Sequence, residues 1–239
     1  MEETRNTLAL ILNCQPYREN DSLVSVYTLD FGKLSLVARG TKKLRSKLAG
    51  HLEPLSLAAL MIISGRGRDY VGSALCQSAY LGIRDDLNKL YYAGQALAWF
   101  NRLVRENQAD ERLFFLITKW LEIIDNYPAE QFTKARGELF LNFFLLKFLA
   151  ELGYCPEMYH CVNCQQEVKP GQNFFDLKSG GILDEPCRHN EALPISDNVI
   201  KLIRFILDNR FNQAAKLKIN SKNLKDLSQL VISFLKYHF

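Results

Sequence analysis

Val37-Ala38-Arg39-Gly40-Thr41-Lys42-Lys43-Leu44-Arg45-Ser46-Lys47 is the stretch on which the fold of this chain turns. On its N-terminal side the sequence reads as three short strands: Leu8 to Cys14, Leu23 to Leu29, and Leu34 to Arg39 after the turn signal Asp30-Phe31-Gly32. On its C-terminal side Leu55 to Ser64 and Tyr70 to Ala79 flank Gly65-Arg66-Gly67-Arg68-Asp69, a glycine-rich hairpin loop. Five strands in about eighty residues, broken after the third by a longer connection, have the size and rhythm of a small five-stranded barrel of the OB type. The quoted stretch is that connection.

Its chemistry is one-sided. No carboxylate lies between Asp30 and Glu53, while Lys33, Arg39, Lys42, Lys43, Arg45 and Lys47 are all cationic. Runs of charge are often no more than solvated loops. Here Gly40, Thr41 and Ser46 place flexible backbone and hydroxyl donors among the cations, and phosphate oxygens engage such groups. Arg39, Lys42, Lys43, Arg45 and Lys47 are therefore expected to meet a polyanion, with Arg66 and Arg68 of the hairpin loop beside them. The formal net charge of the 239 residues is only +4, so a polyanionic partner must be met by local patches. A second patch lies in residues 201 to 239, where eight basic side chains stand against Asp208 and Asp226.

Beyond Gly82 the apolar period changes from two to about 3.6. Asp85 or Asp86 can cap a helix carrying Leu87, Leu90, Tyr91, Gly94, Leu97, Ala98 and Val104 on one face. A second helix, with Leu113, Leu116, Ile117, Trp120, Leu121 and Ile124, ends before Pro128. A third, from about Gln131 to Leu152, is apolar nearly all round and belongs at the centre of a bundle. After an irregular insert, a fourth helix is marked by Val199 to Leu207 and a fifth by Leu224 to Leu235. The expected fold is α+β: an OB barrel over residues 1–80, then an all-α domain over residues 81–239 with a cysteine-rich module at about 154–190.

In that module Cys161-Val162-Asn163-Cys164 is followed by Cys187, half a zinc ribbon plus one ligand. Asp184 falls three residues before Cys187, where a second Cys-x-x-Cys would begin; His189, His160 or Cys155 could serve instead. A closed shell of four protein ligands leaves no place for water and makes such a zinc structural. The alternative is a decayed site with free thiols. The N-terminus lacks the cationic and apolar regions of a secretory signal, and the longest apolar run, Leu139 to Leu152, is too short for a bilayer. With clustered rather than dispersed cysteines, the cytoplasm is the expected compartment, and no membrane partner is expected.

Sequence signatures of catalysis are missing. There is no phosphate-binding Gly-x-x-x-x-Gly-Lys loop, no His-Glu-x-x-His and no Gly-x-Ser-x-Gly. His51 and His238 stand alone, and Asp85-Asp86 and Asp110-Glu111 fall at helix starts, where carboxylates favour the helix dipole. A binding protein is expected rather than an enzyme.

In order along the chain stand Val37-Ala38-Arg39-Gly40, the basic run, Leu48-Ala49-Gly50-His51-Leu52-Glu53-Pro54, Leu152-Gly153-Tyr154-x-Pro156, Cys161-x-x-Cys164 and Gly180-Gly181. Together they resemble the RecO family of bacterial DNA repair proteins, nearly end to end. The resemblance implies a recombination mediator that binds single- and double-stranded DNA and anneals complementary strands. It also implies work with RecR, contact with the C-terminal tail of single-stranded DNA-binding protein, and help in loading RecA, in a nucleoid-associated setting. It implies Arg39, Lys42, Lys43, Arg45 and Lys47 as DNA-backbone contacts and Cys161, Cys164 and Cys187 as metal ligands, with Asp184 standing where family members often carry cysteine. The tail site is expected to be an apolar groove rimmed by Lys or Arg, with Lys201 and Arg204 as candidates. The rival reading is an RNA-binding or protein-interaction scaffold with the same barrel and zinc.

Overall fold

The structure is a computed structural model that describes residues 3–239. It divides into two compact units, Met1–Ala129 and Glu130–Phe239.

The first unit is built on five strands, β1 (Thr4–Pro16), β2 (Ser22–Thr28), β3 (Gly32–Ala38), β4 (Leu57–Ile63) and β5 (Tyr70–Ser78). They close into a barrel in the order β1-β2-β3-β5-β4. β1 serves two neighbours: Thr4 to Leu10 pair with β4, and Ala9 to Pro16 pair with β2. A register shift between Ile11 and Asn13 bends the strand so that it can do both. Closure is completed by a single parallel step, Val37 opposite Tyr70, with the Val37 N–H donating to the Asp69 carbonyl at 2.9 Å.

The alternation read in the sequence fills the interior. Ala9, Ile11, Val24, Val26, Leu34, Leu36, Ala58, Leu60, Ile62 and Val71 form one buried cluster, because side chains at i and i+2 of a strand share a face. The opposite face of β2 is also covered. Tyr27 lies edge-on to Phe100 at 4.9 Å and parallel to Phe114 at 6.5 Å. Those rings belong to α2 (Leu87–Leu103) and α3 (Glu111–Asp125), which follow the short α1 (Leu81–Arg84). Asp86, not Asp85, caps α2 by accepting from the N–H groups of Asn88 and Lys89, and Asp110 caps α3 through those of Arg112 and Leu113. Both acidic pairs thus sit at helix starts, as their spacing suggested.

The second unit is organised round α4 (Lys134–Glu151), whose Leu139, Phe140, Phe143, Phe144, Leu145, Leu146, Phe148 and Leu149 are all buried. α5 (Asp197–Asp208) and α6 (Ser221–His238) pack against it. The polar exceptions in its apolar run are paired. Asn142 donates to Ser228 Oγ at 2.8 Å, and the Lys147 ammonium, its pKa lowered chiefly by burial, donates to the Leu207 carbonyl at 3.1 Å. Between α4 and α5 the insert is less irregular than its sequence suggested. It carries a small antiparallel sheet in the order β7-β6-β8, made of β6 (Asn173–Asp176), β7 (Gly181–Asp184) and β8 (Leu193–Ile195). All four residues of β6 are buried, so it lacks the alternation by which a strand is recognised. Among the described residues no helix is long and apolar enough to cross a membrane.

Candidate nucleic-acid interface and metal-ligand cluster

Three connections of the barrel meet at one end. The Gly40 N–H donates to Asp21 Oδ1 at 2.9 Å, the Lys42 N–H donates to the Asn20 carbonyl at 3.2 Å, and the Ser22 and Thr41 hydroxyls lie 2.7 Å apart. These bonds tie the β3–β4 connection to the β1–β2 turn. The β4–β5 loop joins them through the bond between Val37 and Asp69, and through the Arg68 guanidinium, 5.5 Å from the centre of the Tyr17 ring.

The convergence gathers exposed cations from all three loops. Arg39, Lys42, Lys43, Arg45, Lys47, Arg66 and Arg68 are all exposed. Arg18, which the sequence reading passed over, is exposed beside them with its guanidinium 5.2 Å from the Tyr17 ring centre. Lys33, sixth member of the sequence run, points elsewhere: its ammonium donates to the Asn101 carbonyl at 2.6 Å. Two of the nearby carboxylates are spent inside the loops. Asp21 accepts from Gly40, and Asp69 is paired with Arg5 and accepts from the Gly65 N–H. Glu19 is the acidic side chain of this end left exposed in the β1–β2 turn.

Arg39 is held more firmly than a surface arginine usually is. Its guanidinium lies 3.9 Å from the centre of the Tyr70 ring. On Tyr70's own side, a Cβ added at Gly65 would fall 2.5 Å from the ring edge and 2.1 Å from the Arg68 carbonyl. Gly65 is therefore the residue that lets the ring lie across the loop. Backbone, ring and guanidinium together fix a planar cation at the surface, and the ring quadrupole favours that arrangement.

In the second unit Cys161, Cys164, Asp184 and Cys187 bring one ligand atom each to within 4.8 Å of one another. Asp184 lies at their centre of bonding. It accepts from Cys161 Sγ at 3.5 Å and Cys164 Sγ at 3.2 Å, and its Oδ1 takes the Cys187 N–H at 3.1 Å, capping the short turn Glu185–Cys187. Hydrogen bonds from Cys187 and Cys164 hold the Asp184 carboxyl below the usual carboxylate range. The other three candidates are elsewhere. His160 faces Glu157 at 3.8 Å, His189 faces Asp176 at 3.5 Å, and Cys155 lies outside the cluster. Cys161 is fully buried and packs with Phe174, Leu183 and Ala192. Three sulfurs and one carboxylate oxygen at this separation are a donor set that fits zinc, which tetrahedral sites hold at about 2.0–2.3 Å from O and S.

The isolated histidines have structural partners. His51 Nδ1 faces the Cys76 N–H at 3.3 Å and His238 Nε2 faces the Leu177 carbonyl at 2.9 Å. Arg204, suggested as the rim of a peptide groove, is committed to the Met158 carbonyl through two bonds and lies over the Tyr159 ring. A groove of about 1280 Å³ opens instead among β6, β8 and α6, lined by Phe174, Leu193, Pro194, Ile195, Leu230 and Arg188. Neither Lys201 nor Arg204 lines it.

Comparison with known proteins agrees with this layout. Residues 1–78 match the family model described as Recombination protein O N terminal, and residues 84–239 match Recombination protein O C terminal. The DNA repair protein RecO of Dehalococcoides mccartyi strain BAV1 is 30% identical over 232 residues, covering 97% of this chain and 89% of that protein. The protein of the same name from Roseiflexus sp. strain RS-1 is 29% identical and covers 97% of this chain and 80% of its own. That from Thermoanaerobacter sp. strain X514 is 24% identical, with 97% and 91% covered. A five-stranded barrel followed by a helical body with a cysteine cluster, matched along both parts by the two family models, places this chain in the RecO family of DNA repair and recombination proteins.

Proposed function

We propose that this chain is a recombination mediator that acts by binding and performs no covalent chemistry. The observation that carries the reading is the end of the barrel, where three loops converge on eight exposed Arg and Lys side chains, Arg18 among them, while Asp21 and Asp69 are turned inward to the loops' own bonds. Arg39, Lys42, Lys43, Arg45, Lys47, Arg66 and Arg68 contact the phosphate backbone, without sequence readout. Neutralising two phosphate backbones lets complementary bases meet, so annealing follows from binding alone. In this reading residues 1–80 are the nucleic-acid-binding domain and residues 81–239 the helical domain with its zinc module at about 154–190. The chain works in the cytoplasm on nucleoid DNA, with RecR, and helps RecA onto single strands.

Cys161, Cys164, Asp184 and Cys187 hold one zinc ion, which supplies a cross-link and no chemistry, because four protein ligands leave no open position. Cys161 joins that cross-link to the buried cluster with Phe174 and Leu183, so the site fixes β7 and the knuckle at Cys161 to Cys164 as one piece. The groove is walled by Phe174, Leu193, Pro194 and Leu230 with one cation, Arg188, over Phe174 at 4.6 Å and one carboxylate, Asp226, so its apolar wall suits the aromatic end of a tail such as that of single-stranded DNA-binding protein more than its acidic part.

The deciding experiment is annealing of complementary oligonucleotides coated with single-stranded DNA-binding protein, with and without this chain. The mediator reading expects acceleration on coated strands and its loss when Lys42, Lys43 and Arg45 are all alanine. An RNA binder or a scaffold gives no acceleration, and that outcome would refute the proposal.

A further inference from the structure

A stretch of the second unit repeats the chemistry of the barrel end. From Asn209 to Lys225 the sequence holds no carboxylate, while Arg210, Lys216, Lys218, Lys222 and Lys225 are all exposed. Exposed Asn212, Asn220 and Ser221 lie among them, so amide and hydroxyl donors stand between the cations, as Thr41 and Ser46 do in the first run. The backbone beneath is anchored. Phe211 and Ala214 of the short turn Phe211–Lys216 are buried. The Arg136 guanidinium donates to the Ala214 and Leu217 carbonyls at 2.8 and 3.0 Å, clasping the chain on either side of Lys216. Asn220 then caps α6 by accepting from the Lys222 N–H at 2.8 Å, and Lys222 and Lys225 follow as neighbours three residues apart on its exposed side. The cations are thus carried by a pinned turn and a helix, not by a loose tail.

The carboxylates at the borders have other partners. Asp208 accepts from the Tyr159 hydroxyl at 2.7 Å, Glu138 accepts from the Ser228 hydroxyl at 2.6 Å, and Asp226 lines the groove among β6, β8 and α6. Among the described residues none of the five basic side chains is held in an ion pair or a side-chain hydrogen bond. Nor is any large hydrophobic side chain exposed between Asn209 and Lys225, so the face offers phosphate contacts and no apolar anchor for a peptide. Annealing brings two strands together against the repulsion of their phosphates, and one cationic end accounts for holding one of them. We propose that this face of the second unit holds a second DNA strand by its phosphates, so that one chain carries two strands at once. The inference rests on the reading of the barrel end as a DNA-binding surface and adds a separate site, on the other unit, with its own salt dependence.

The test uses the full-length chain and two thymidine oligonucleotides, which cannot pair, one labelled with a donor dye and one with an acceptor. Energy transfer between them reports two strands held together. If four phosphates are engaged here, the slope of log affinity against log salt for the second strand is about −2.8, and its binding weakens about 50-fold between 50 and 200 mM salt. Replacing Lys216, Lys218, Lys222 and Lys225 together by alanine is expected to abolish the transfer and slow the annealing of complementary strands, while the first strand binds as it does to the parent. Replacing the same four by arginine keeps the charge and is expected to keep the transfer. The inference is overturned if the alanine variant bridges and anneals as the parent does, the result expected if this face serves an acidic protein instead or if two copies each hold one strand. It is also overturned if that variant, melting with the parent, loses the first strand as fully as the second, since the four lysines would then belong to a single surface. Failure of the underlying reading is recognisable separately: the parent would show no salt-dependent binding of either strand, whereas failure of this inference alone leaves one strand bound and no transfer.

Discussion

Replacing Lys42, Lys43 and Arg45 together by alanine tests the cationic end most directly, and its effect can be worked out in advance. Each phosphate of a single strand that a cation neutralises contributes a slope of about −0.7 to log affinity against log salt. If about five phosphates are engaged across the exposed cations of this end, the slope is about −3.5, and removing three cations leaves about −1.4. Between 50 and 200 mM salt the parent then loses about 130-fold in affinity, and the variant only about sevenfold. The two titrations should converge at high salt and diverge at low salt. The loop should survive the change. The Gly40, Lys42 and Thr41 bonds to Asp21, Asn20 and Ser22 use backbone and hydroxyl groups, and the one side-chain bond removed is that from Lys42 Nζ to the Arg18 carbonyl. Surface changes of this kind cost within about 0.5 kcal/mol each. Fluorescence anisotropy of a labelled oligonucleotide across a salt series reads the slope. An unchanged slope, with the variant folded, would remove these three side chains from the interface.

Three further outcomes follow from the same structure. Gly32→Ala is expected to destabilise the first unit by about 2 kcal/mol or more, since φ is +70° there and a Cβ would fall 2.1 Å from the Gln108 carbonyl oxygen; a urea melt coinciding with the parent's would contradict this. Protein purified without chelator is expected to carry about one zinc per chain by elemental analysis. Asp184→Ala should lose both metal and melting temperature while Asp184→Cys keeps both, and clearly substoichiometric metal in the parent would refute the site. Arg112 and the α3 backbone hold Asp110 below its ordinary carboxylate value, so its contribution is complete above that value and is lost as pH falls through the lowered one. Asp110→Ala should therefore cost about 1 kcal/mol near neutral pH and progressively less as the pH is taken down through and below the ordinary carboxylate range; a difference that stays constant as the pH falls would refute it.

Much of this was legible in the residues, for reasons that can be named. The barrel declared itself because Val24, Val26, Leu34, Leu36, Leu60 and Ile62 alternate with less buried neighbours, and a period of two admits no other reading. α4 declared itself by being apolar on every side. The small sheet of the insert did not, because strands of three and four residues are shorter than any pattern that could identify them. Nor does helical period tell which body a helix joins: α2 and α3 lie in the same compact unit as the barrel, through rings such as Phe100 and Phe114 that meet Tyr27. At the cationic end, charge alone marked Lys33 equally with Lys43, although Lys33 is anchored to Asn101. Tyr17 and Arg18 carried a signal that could have been read, an aromatic and a cation side by side in a turn after Pro16. What linked them to Arg68, fifty residues on, was the closure of the barrel.

That closure also sets the order in which the chain can be finished as it is made. β1 finds one partner early, since β2 ends at Thr28, but its first half waits for β4, which is complete only at Ile63. At roughly 5–20 residues per second of synthesis, the segment Thr4–Leu10 spends about two to seven seconds as an open strand edge. Arg5 and Asn6 on that segment guard it, since a charge and an amide discourage pairing with a neighbouring nascent chain. Ribosome-bound chains halted near residue 50 should be cut readily within Thr4–Leu10, and chains long enough to expose β4 should not. The bend in β1 thus divides the strand between an early partner, β2, and a late one, β4, so its first half stays unpaired until the sequence that completes it has been translated.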